Sequence, residues 1–233
     1  MKVLRLLFKF LSPYKGNPKY VSGNALRHAL SMNVYTSIGI FTNQSKLIRP
    51  DNYNQFFQIR TNSSFLDFII AKKINRYTLK PYLDLIFFPK YIVFDLMRFQ
   101  DDIIDRIKEK ELIQFGGRRN FGYGVVELVD YLYIDLNDIK MPENATHAIL
   151  ISPMLYIPWF FEKYNCRREV EALWNNGIKK NFNIIPKGQF FRLKNSIDIK
   201  RIALKGILRK CFGGNVGYGE YYLVNWDNNH KSG

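Results

Sequence analysis

The sequence predicts an α+β protein built from two similar units, each with the element order βαββαβ. Three features support this prediction: strands with alternating apolar residues, helical stretches with an apolar stripe, and a glycine-rich segment that occurs twice. The chain has 233 residues, of which 47% are hydrophobic and 24% are charged. These proportions are typical of a globular protein and exclude a disordered chain. A chain of this length can form one large domain or two small ones.

The first predicted strand covers residues 2–11. Leu4 and Leu6 alternate with the cationic residues Arg5 and Lys9, which is the period-two pattern of a strand. We therefore expect one buried face and one partly basic face. Because cations interrupt the apolar run and no small-residue cleavage site follows it, the segment does not read as a signal peptide.

The rest of the first unit contains two helices and further strands. A helix is predicted from Asn24 onward, a strand over residues 90–98, and a second helix after the pair Asp101-Asp102. Aspartate is favoured at helix N-termini, and apolar residues at helical spacing follow the pair. Residues 41–66 are rich in Asn, Gln, Ser and Thr. They predict a long loop or irregular hairpin, to which we assign no role.

The second unit follows the same order more loosely. Strands are predicted over residues 147–151 and from Gly188 onward, and helices over about residues 168–174 and from Ile199 onward. Apolar residues recur at helical spacing after Ile199, which favours an amphipathic helix there.

A polar stretch over residues 138–146 separates the two units. We therefore predict an N-terminal domain over residues 1–140 and a C-terminal domain over residues 145–233. The element order βαββαβ is that of the ferredoxin-like unit, which RNA-recognition domains share. The predicted fold is thus a tandem of ferredoxin-like domains.

The clearest internal repeat is a glycine-rich loop between the last helix and the last strand of each unit. It reads FGGRRNFGYG over residues 115–124 and FGGNVGYG over residues 212–219. Two such loops in matching surroundings are harder to attribute to chance than one. Together they hold eight of the 15 glycines, which are Gly116, Gly117, Gly122, Gly124, Gly213, Gly214, Gly217 and Gly219.

The residue types in these loops suit contact with a nucleic acid. Glycine lets backbone N–H groups approach phosphate oxygens closely. Arg118 and Arg119 in the first copy suit bidentate phosphate contacts, and Tyr123 and Tyr218 lie between glycines, where a ring could stack on a base. The alternative is that the glycines only form tight, closely packed turns.

The charge of the chain favours the same kind of ligand. Its 35 Lys and Arg against 20 Asp and Glu give a net charge of +15, and so basic a protein usually binds a polyanion. From Ile178 onward there are 11 Lys and Arg against three acidic residues. Such a charge run can also be simply a solvated face. The cations of the predicted helix before the second loop are Lys200, Arg201, Lys205, Arg209 and Lys210.

Other classes of protein fit less well. The two cysteines, Cys166 and Cys211, form neither a disulfide framework nor a zinc-spaced set, so we expect a reducing, cytoplasmic setting. The longest apolar stretch, residues 148–161, is too short to span a bilayer. A membrane-surface protein is disfavoured because no long basic amphipathic helix is predicted. We expect no cofactor and no bound metal.

Two motifs resemble the RAMP superfamily of CRISPR-associated proteins. The segment FGGRRNFGYGVVEL is similar to the glycine-rich signature that precedes a strand in that superfamily. The segment NPKYVSGNALRHAL resembles its early turn and first helix, and there Arg27 is a candidate RNA contact. The second loop departs from the first by an insert two residues shorter. The resemblance implies tandem ferredoxin-like domains, crRNA or its precursor as ligand, and other effector subunits as partners.

The resemblance leaves two roles open. One is a non-catalytic subunit of a Cascade-like effector complex, which grips the crRNA backbone or handle. The other is a metal-independent endoribonuclease that cuts the repeat transcript by 2′-OH attack. Such a cut needs a general base, for which His28 is the candidate, with Tyr20, Tyr35 or a nearby lysine assisting. Few other catalytic residues accompany His28, and we therefore favour the effector subunit.

Overall fold

The computed structural model describes residues 1–61, 66–74, 77–78, 81–162, 166–175, 178–207, 210–212 and 215–226. The first half holds β1 (Lys2–Phe10), α1 (Gly23–Leu30), β2 (Tyr35–Thr36), β3 (Ile40–Thr42), α2 (Tyr53–Thr61), β4 (Phe68–Ile74), β5 (Pro81–Phe87), β6 (Tyr91–Met97), α3 (Ile103–Lys108), β7 (Ile113–Gln114) and β8 (Val125–Asp135). The second half holds β9 (His147–Leu150), β10 (Glu169–Asn175), β11 (Ile178–Ile184), β12 (Phe190–Arg192), α4 (Ile199–Ile207), β13 (Lys210–Phe212), β14 (Asn215–Tyr218) and β15 (Tyr221–Val224).

The N-terminal sheet is built around β1. Its strands run in the order β2–β6–β1–β8–β7, with β3 also paired to β6, and all of these pairs are antiparallel. β1 lies between β6 and β8, and its side chains from Val3 to Phe8 are buried. The protein is therefore a mixed α+β protein with antiparallel sheets and few helices, as the sequence predicts.

Both faces of this sheet are covered. On one face, Leu4 and Leu6 of β1 pack with Leu26 of α1 and Ile104 of α3. On the other face, Leu7 of β1 packs with Ile59 of α2. The prediction of a partly basic face on β1 is wrong at the centre of the strand, because α2 covers that face.

Residues 41–66 contain α2, although we expected a long loop or hairpin there. Asn52 begins the helix, because its side-chain oxygen accepts the backbone N–H of Gln55 at 3.0 Å. The helix buries Phe56, Phe57 and Ile59 on its inner side. Burial of these apolar side chains against both halves of the chain favours the helix more than the surrounding Asn and Gln residues favour a loop.

The C-terminal sheet has three strands in the order β12–β9–β15. Its inner side chains, among them Ala148 and Leu223, pack against Ile202 and Ala203 of α4. The helix expected over residues 168–174 is wrong: that segment is strand β10, which pairs with β11 in an antiparallel hairpin. The second half therefore departs from the element order of the first. None of the described helices is long and apolar enough to cross a membrane.

The two halves share one core. Val3 and Ile134 of the N-terminal sheet belong to the same buried cluster as Tyr53 of α2 and Leu223 of β15. The Tyr53 hydroxyl accepts the backbone N–H of Leu223 at 3.1 Å. Helix α2 is thus the element through which the sheets of the two halves are packed together.

A buried polar network accompanies this core. Arg5 donates from Nε and Nη2 to the two carboxylate oxygens of Asp95 at 2.7 and 3.0 Å. Its Nη2 also donates to the carbonyl oxygen of Phe56 in α2 at 2.9 Å. The guanidinium of Arg5 lies 4.5 Å from the Phe56 ring centre. A buried arginine is tolerated here because a bidentate carboxylate and a carbonyl compensate its lost hydration.

Arg60 extends the network into the second half. Its Nη2 donates to Glu220 Oε2 at 2.6 Å, and its Nη1 donates to the Ser37 hydroxyl at 2.9 Å. Nη1 also lies 3.8 Å from Asp95. The side chains of Arg60 and Glu220 are fully buried. Two arginines and two carboxylates therefore balance their charges inside the protein.

Replacing Glu220 with Ala should destabilise the protein strongly, because it leaves the Arg60 guanidinium buried without its closest carboxylate. We expect the free energy of unfolding to fall by about 3–5 kcal/mol, measured by urea denaturation. Glu162→Ala is the control, since the Glu162 carboxylate pairs with Arg192 at the surface, at 3.7 Å, and should contribute at most about 1 kcal/mol. Equal losses in the two variants would contradict the importance given to the buried pair.

Candidate nucleic-acid interface

The first glycine-rich loop packs tightly against the segment that follows β1. A Cβ added to Gly116 would lie 2.3 Å from the carbonyl oxygen of Lys15, and one added to Gly124 would lie 1.9 Å from the carbonyl oxygen of Phe115. Both glycines have positive φ, +85° and +74°, which other residues adopt at a cost. At these two positions the loop needs glycine for close packing, the simpler of the two readings of the motif.

Several of the loop's backbone amides are already bonded within the protein. The N–H of Gly117 donates to the carbonyl of Lys15 at 2.7 Å, and that of Gly124 donates to the carbonyl of Pro13 at 2.7 Å. The N–H of Gly122 donates to the carbonyl of Arg119 at 2.9 Å. These three amides therefore do not form the phosphate cradle that the glycine content indicates.

Arg118 is held by an acidic partner. Its Nη1 lies 2.9 Å from Asp84 Oδ2 on β5, and Lys15 forms an ion pair with the same carboxylate. Asp84 is buried, whereas the Arg118 side chain is 30% exposed. Arg118 also adopts a left-handed backbone conformation, with φ of 57°. The loop, the segment after β1 and the β4–β5 hairpin therefore meet around one carboxylate.

The tip of the loop faces solvent. Arg119, Asn120 and Phe121 form a 3₁₀ turn in which all three residues are exposed, and the Phe121 side chain is 73% exposed. Gln114 holds the turn from below, because its side-chain amide donates to the Arg119 carbonyl at 3.1 Å. The sequence pattern indicates Arg119 but not Phe121, since an isolated phenylalanine is usually a core residue.

Tyr123 is half-buried beside this turn. Its carbonyl oxygen is 3.4 Å from the same Gln114 amide. The structure thus brings Arg119, Phe121 and Tyr123 together on one loop, with Arg118 turned toward Asp84.

The second loop lies in a different environment. Gly217 has a φ of +90°, and a Cβ there would lie 2.6 Å from the backbone nitrogen of Ile38. Tyr218 is only 4% exposed, so its ring does not present a face for stacking in this structure. Gly219 also has positive φ, and its N–H donates to the Pro153 carbonyl at 2.9 Å. Gly213 and Gly214 lie outside the described residues, as does Arg209; the side chain of Lys210 is likewise not described.

Tyr218 belongs to a cluster between the halves. The Tyr20 hydroxyl donates a short hydrogen bond to Glu171 on β10, and burial raises the pKa of both Tyr20 and Tyr218 well above the usual tyrosine value. Burial also lowers the pKa of the neighbouring Lys187 to about 8, helped by the nearby Arg60. The cluster joins elements of the two halves, and no part of the sequence repeat indicates it.

Three of the predicted cations of the second half lie on the solvent side of α4. Lys200, Arg201 and Lys205 are exposed, while Ile202 and Ile207 are buried. The ammonium of Lys205 also lies 5.9 Å from the Phe160 ring centre. The helix therefore presents its positive charge outward.

His28 and Arg27 lie in the last turn of α1. His28 is exposed, and its ring makes no hydrogen bond or ion pair with the part of the chain that the structure describes. The Arg27 side chain donates a short hydrogen bond to Asn33. The helix begins at Ser22, whose hydroxyl accepts the N–H of Ala25 at 3.3 Å.

Two glycines of the first loop form a matched pair for mutation. Both Gly122 and Gly124 have positive φ, but a Cβ at Gly122 would have no atom within 4 Å. Gly122→Ala should therefore lower the free energy of unfolding by about 1–2 kcal/mol, the cost of the left-handed backbone alone. Gly124→Ala should cost more, because its Cβ would collide with the Phe115 carbonyl. Equal losses in urea denaturation would contradict this packing.

No protein-family model matches the chain, and no curated protein matches it. Among solved structures, it is similar to a chain of the Csm3–Csm4 subcomplex in the type III-A CRISPR-Cas interference complex, at 10% identity and a TM-score of 0.48, over 97% of this chain and 100% of that one. It is also similar to a chain of the type III-B Cmr-beta complex bound to cognate target RNA, at 12% identity and a TM-score of 0.46, over 81% of this chain and 86% of that one. A third similar chain is from the Csm1–Csm4 cassette in complex with AMPPNP, at 10% identity and a TM-score of 0.41, over 97% and 98%.

Proposed function

We propose that the chain is a crRNA-binding RAMP subunit of a CRISPR effector complex, which holds RNA and does not cut it. The observation that carries the proposal is the exposed turn over Arg119–Phe121, set on a loop that is fixed from below. Its partners would be crRNA and the other subunits of the effector complex.

The turn offers the two groups that a single-stranded nucleic acid needs. Arg119 carries a guanidinium that suits phosphate oxygens, and two residues later Phe121 exposes a ring on which a base can stack. Both are exposed in the free protein. Within the described part of the chain, neither side chain has a hydrogen-bond or ion-pair partner that it must leave to reach a ligand, so binding does not incur that cost.

The glycines contribute to this by fixing the loop. Gly117 and Gly124 tie it to the backbone of residues 13–15, and Arg118 ties it to Asp84. A loop that is already ordered loses little conformational entropy on binding. The glycine motif therefore supports RNA contact indirectly, by presenting the turn, and not by offering its own amides.

The fold is compatible with the proposal. In the N-terminal sheet, the order β2–β6–β1–β8, with α1 and α3 on one face, supports the ferredoxin-like domain that we propose over residues 1–140. Residues 145–233 would form a reduced second domain, in which the β10–β11 hairpin stands where the first helix of the repeat was expected. The exposed cations of α4 add long-range attraction for a polyanion.

The surroundings of His28 favour a protein that binds RNA over one that cleaves it. A general base is usually oriented by a second group, and His28 has no such partner among the described residues. Tyr20, one of the expected helpers, is buried and bonded to Glu171. The processing endoribonuclease with His28 as base remains the alternative function.

Removing the two groups of the turn should weaken RNA binding. We expect Arg119→Ala to lower the affinity for a single-stranded repeat RNA and to flatten its log–log salt dependence by about 0.7, the value for one lost phosphate contact. Phe121→Ala should lower affinity by about five-fold or more, since stacking of one base contributes about 1–3 kcal/mol, with the salt dependence unchanged. Fluorescence anisotropy at several salt concentrations measures both effects.

Lys140→Ala is the matched control for loss of one positive charge. Lys140 is exposed, and its bonds to the start of α2 are made by its backbone, so the fold should not change. A loss of affinity as large as that of Arg119→Ala would mean that net charge, and not the turn, binds the RNA.

Cleavage is tested separately. We expect repeat RNA incubated with the protein in EDTA to be bound but not cut, on native and denaturing gels. His28→Ala should leave binding unchanged. A discrete product with a 2′,3′-cyclic phosphate, absent with His28→Ala, would establish the endoribonuclease instead.

A further inference from the structure

The three-stranded C-terminal sheet has an outer face that α4 does not cover. Pairing places Arg192 of β12 beside His147 of β9, which in turn pairs with Val224 of β15. One step along the strands, Phe190 pairs with Ile149. These side chains alternate with the inner residues that pack on α4. Around His147 the outer face therefore carries aromatic and cationic groups, whereas Tyr222 of β15, on the same face, packs on Tyr53 of α2.

An aromatic cluster occupies one end of this face. The His147 and Phe190 rings stack with their centres 4.6 Å apart and a 23° angle between planes. Trp226 packs against Phe190 at 5.2 Å with its plane inclined by 75°. The Phe190 side chain is 40% exposed and that of Trp226 52% exposed. Large aromatic rings that pack on one another and still face water offer ready stacking surfaces.

Thr146 fixes the cluster in place. Its hydroxyl oxygen accepts the backbone N–H of Trp226 at 2.8 Å and lies 2.8 Å from Nδ1 of His147. The backbone N–H of Thr146 donates to the carbonyl of Val224 at 3.1 Å. The strand that precedes Trp226 and the start of β9 are therefore tied together, and the rings are pre-positioned.

A cavity of about 510 Å³ opens beside the cluster. Its lining includes Trp226 and His147 together with Arg192, Lys194, Asn195 and Ser196. Volumes of 300–1,000 Å³ are usual for small-molecule and cofactor sites. The lining combines aromatic rings with side-chain amide, hydroxyl and cationic groups, which can stack on a flat heterocycle and hydrogen-bond its edge.

Charge favours an anionic ligand. Arg192 and Lys194 are exposed, and Arg192 has a weak ion pair with Glu162 at 3.7 Å. Asp198, the nearest acidic group in the following loop, is engaged in accepting the backbone N–H of Arg201 at 3.0 Å. Burial, with a contribution from Arg192, lowers the pKa of His147, so at neutral pH its ring stacks without charge. The positive charge of the site therefore comes from Arg192 and Lys194.

We propose that this aromatic cluster and its cavity form a second RNA contact, which holds one unstacked base of a single strand on Trp226 with the adjoining phosphate at Arg192 or Lys194. The proposal rests on the RNA-binding function proposed above. It specifies single-stranded RNA, because a base inside a duplex is not free to enter a cavity. Selectivity among bases should be weak, since every base has a face for stacking.

Substitution of Trp226 tests the contact. Trp226→Ala should weaken binding of a single-stranded oligoribonucleotide by about 5- to 150-fold, the range for one stacked base, without changing the salt dependence. Trp226→Phe should retain most of the affinity. Tyr156→Ala is the control, because Tyr156 is an exposed aromatic residue that does not line the cavity. Equal affinity of Trp226→Ala and the unsubstituted protein would overturn the proposal.

Fluorescence gives a second readout. In a Trp159→Phe, Trp174→Phe variant, Trp226 is the only tryptophan, and stacking of a base should quench it. An oligomer of the same length made of abasic sugar-phosphates should quench far less. Equal quenching by both would overturn base stacking.

The experiments also separate this site from the first loop. If Arg119→Ala and Phe121→Ala lose affinity while Trp226→Ala does not, this inference fails and the proposed function stands. If the unsubstituted protein binds no RNA, both fail. If Trp226→Ala loses affinity and quenching follows the bases, the second contact is supported.

Discussion

Arg60 determines how the two halves of the chain meet. It projects from α2, which packs on the N-terminal sheet, and its guanidinium pairs with Glu220 immediately before β15. A fully buried ion pair is costly to separate, because each charge would remain without water or partner. The pair therefore tolerates little change in the position of β15 relative to α2. The exposed turn at Arg119 and the aromatic cluster at Trp226 belong to different halves. The Arg60–Glu220 pair therefore helps to fix their positions relative to each other.

The repeated glycine motif shows that similar sequences can serve different local needs. In the first copy, glycine allows the loop to pack on the backbone of residues 13–15, and the loop then turns its tip to solvent. In the second copy, Gly217 allows the chain to pass close to Ser37 in the other half. One loop presents residues to the outside, whereas the described part of the other joins two parts of the protein. The glycine motif alone therefore indicates that another backbone segment packs closely against the loop. The surrounding structure determines which segment that is.

Much of the fold follows from sequence periodicity, and the exceptions have physical causes. The alternation in residues 2–11 predicts β1, but it cannot reveal that α2 covers the side of Arg5, because the covering residues lie about fifty positions away. The segment with Glu169 and Glu171 contains good helix formers, yet pairing with β11 makes it a strand. Tertiary pairing outweighs weak local propensity. The burial of Tyr218 likewise depends on distant residues.

The candidate site was predictable in part. Arg119 is predictable because arginines in a glycine-rich loop suit bidentate phosphate contact, whereas Phe121 and Trp226 have no distinguishing pattern in the sequence. Their exposure emerges only when the strands beside them are paired. Aromatic residues make up 16% of this chain, so composition indicates a large supply of rings. It does not indicate which rings remain at the surface.

The central position of β1 also has a consequence for synthesis. Leu6 pairs with Phe94 and with Tyr131, which follow it by about 90 and about 125 positions. On a ribosome the first strand must therefore wait, without either neighbour, until most of the N-terminal half has been translated. Sheets with such distant pairings form slowly, and an apolar strand exposed for that interval is a target for misassociation. The nascent chain can therefore misassociate through β1 until β8 has emerged and paired with it.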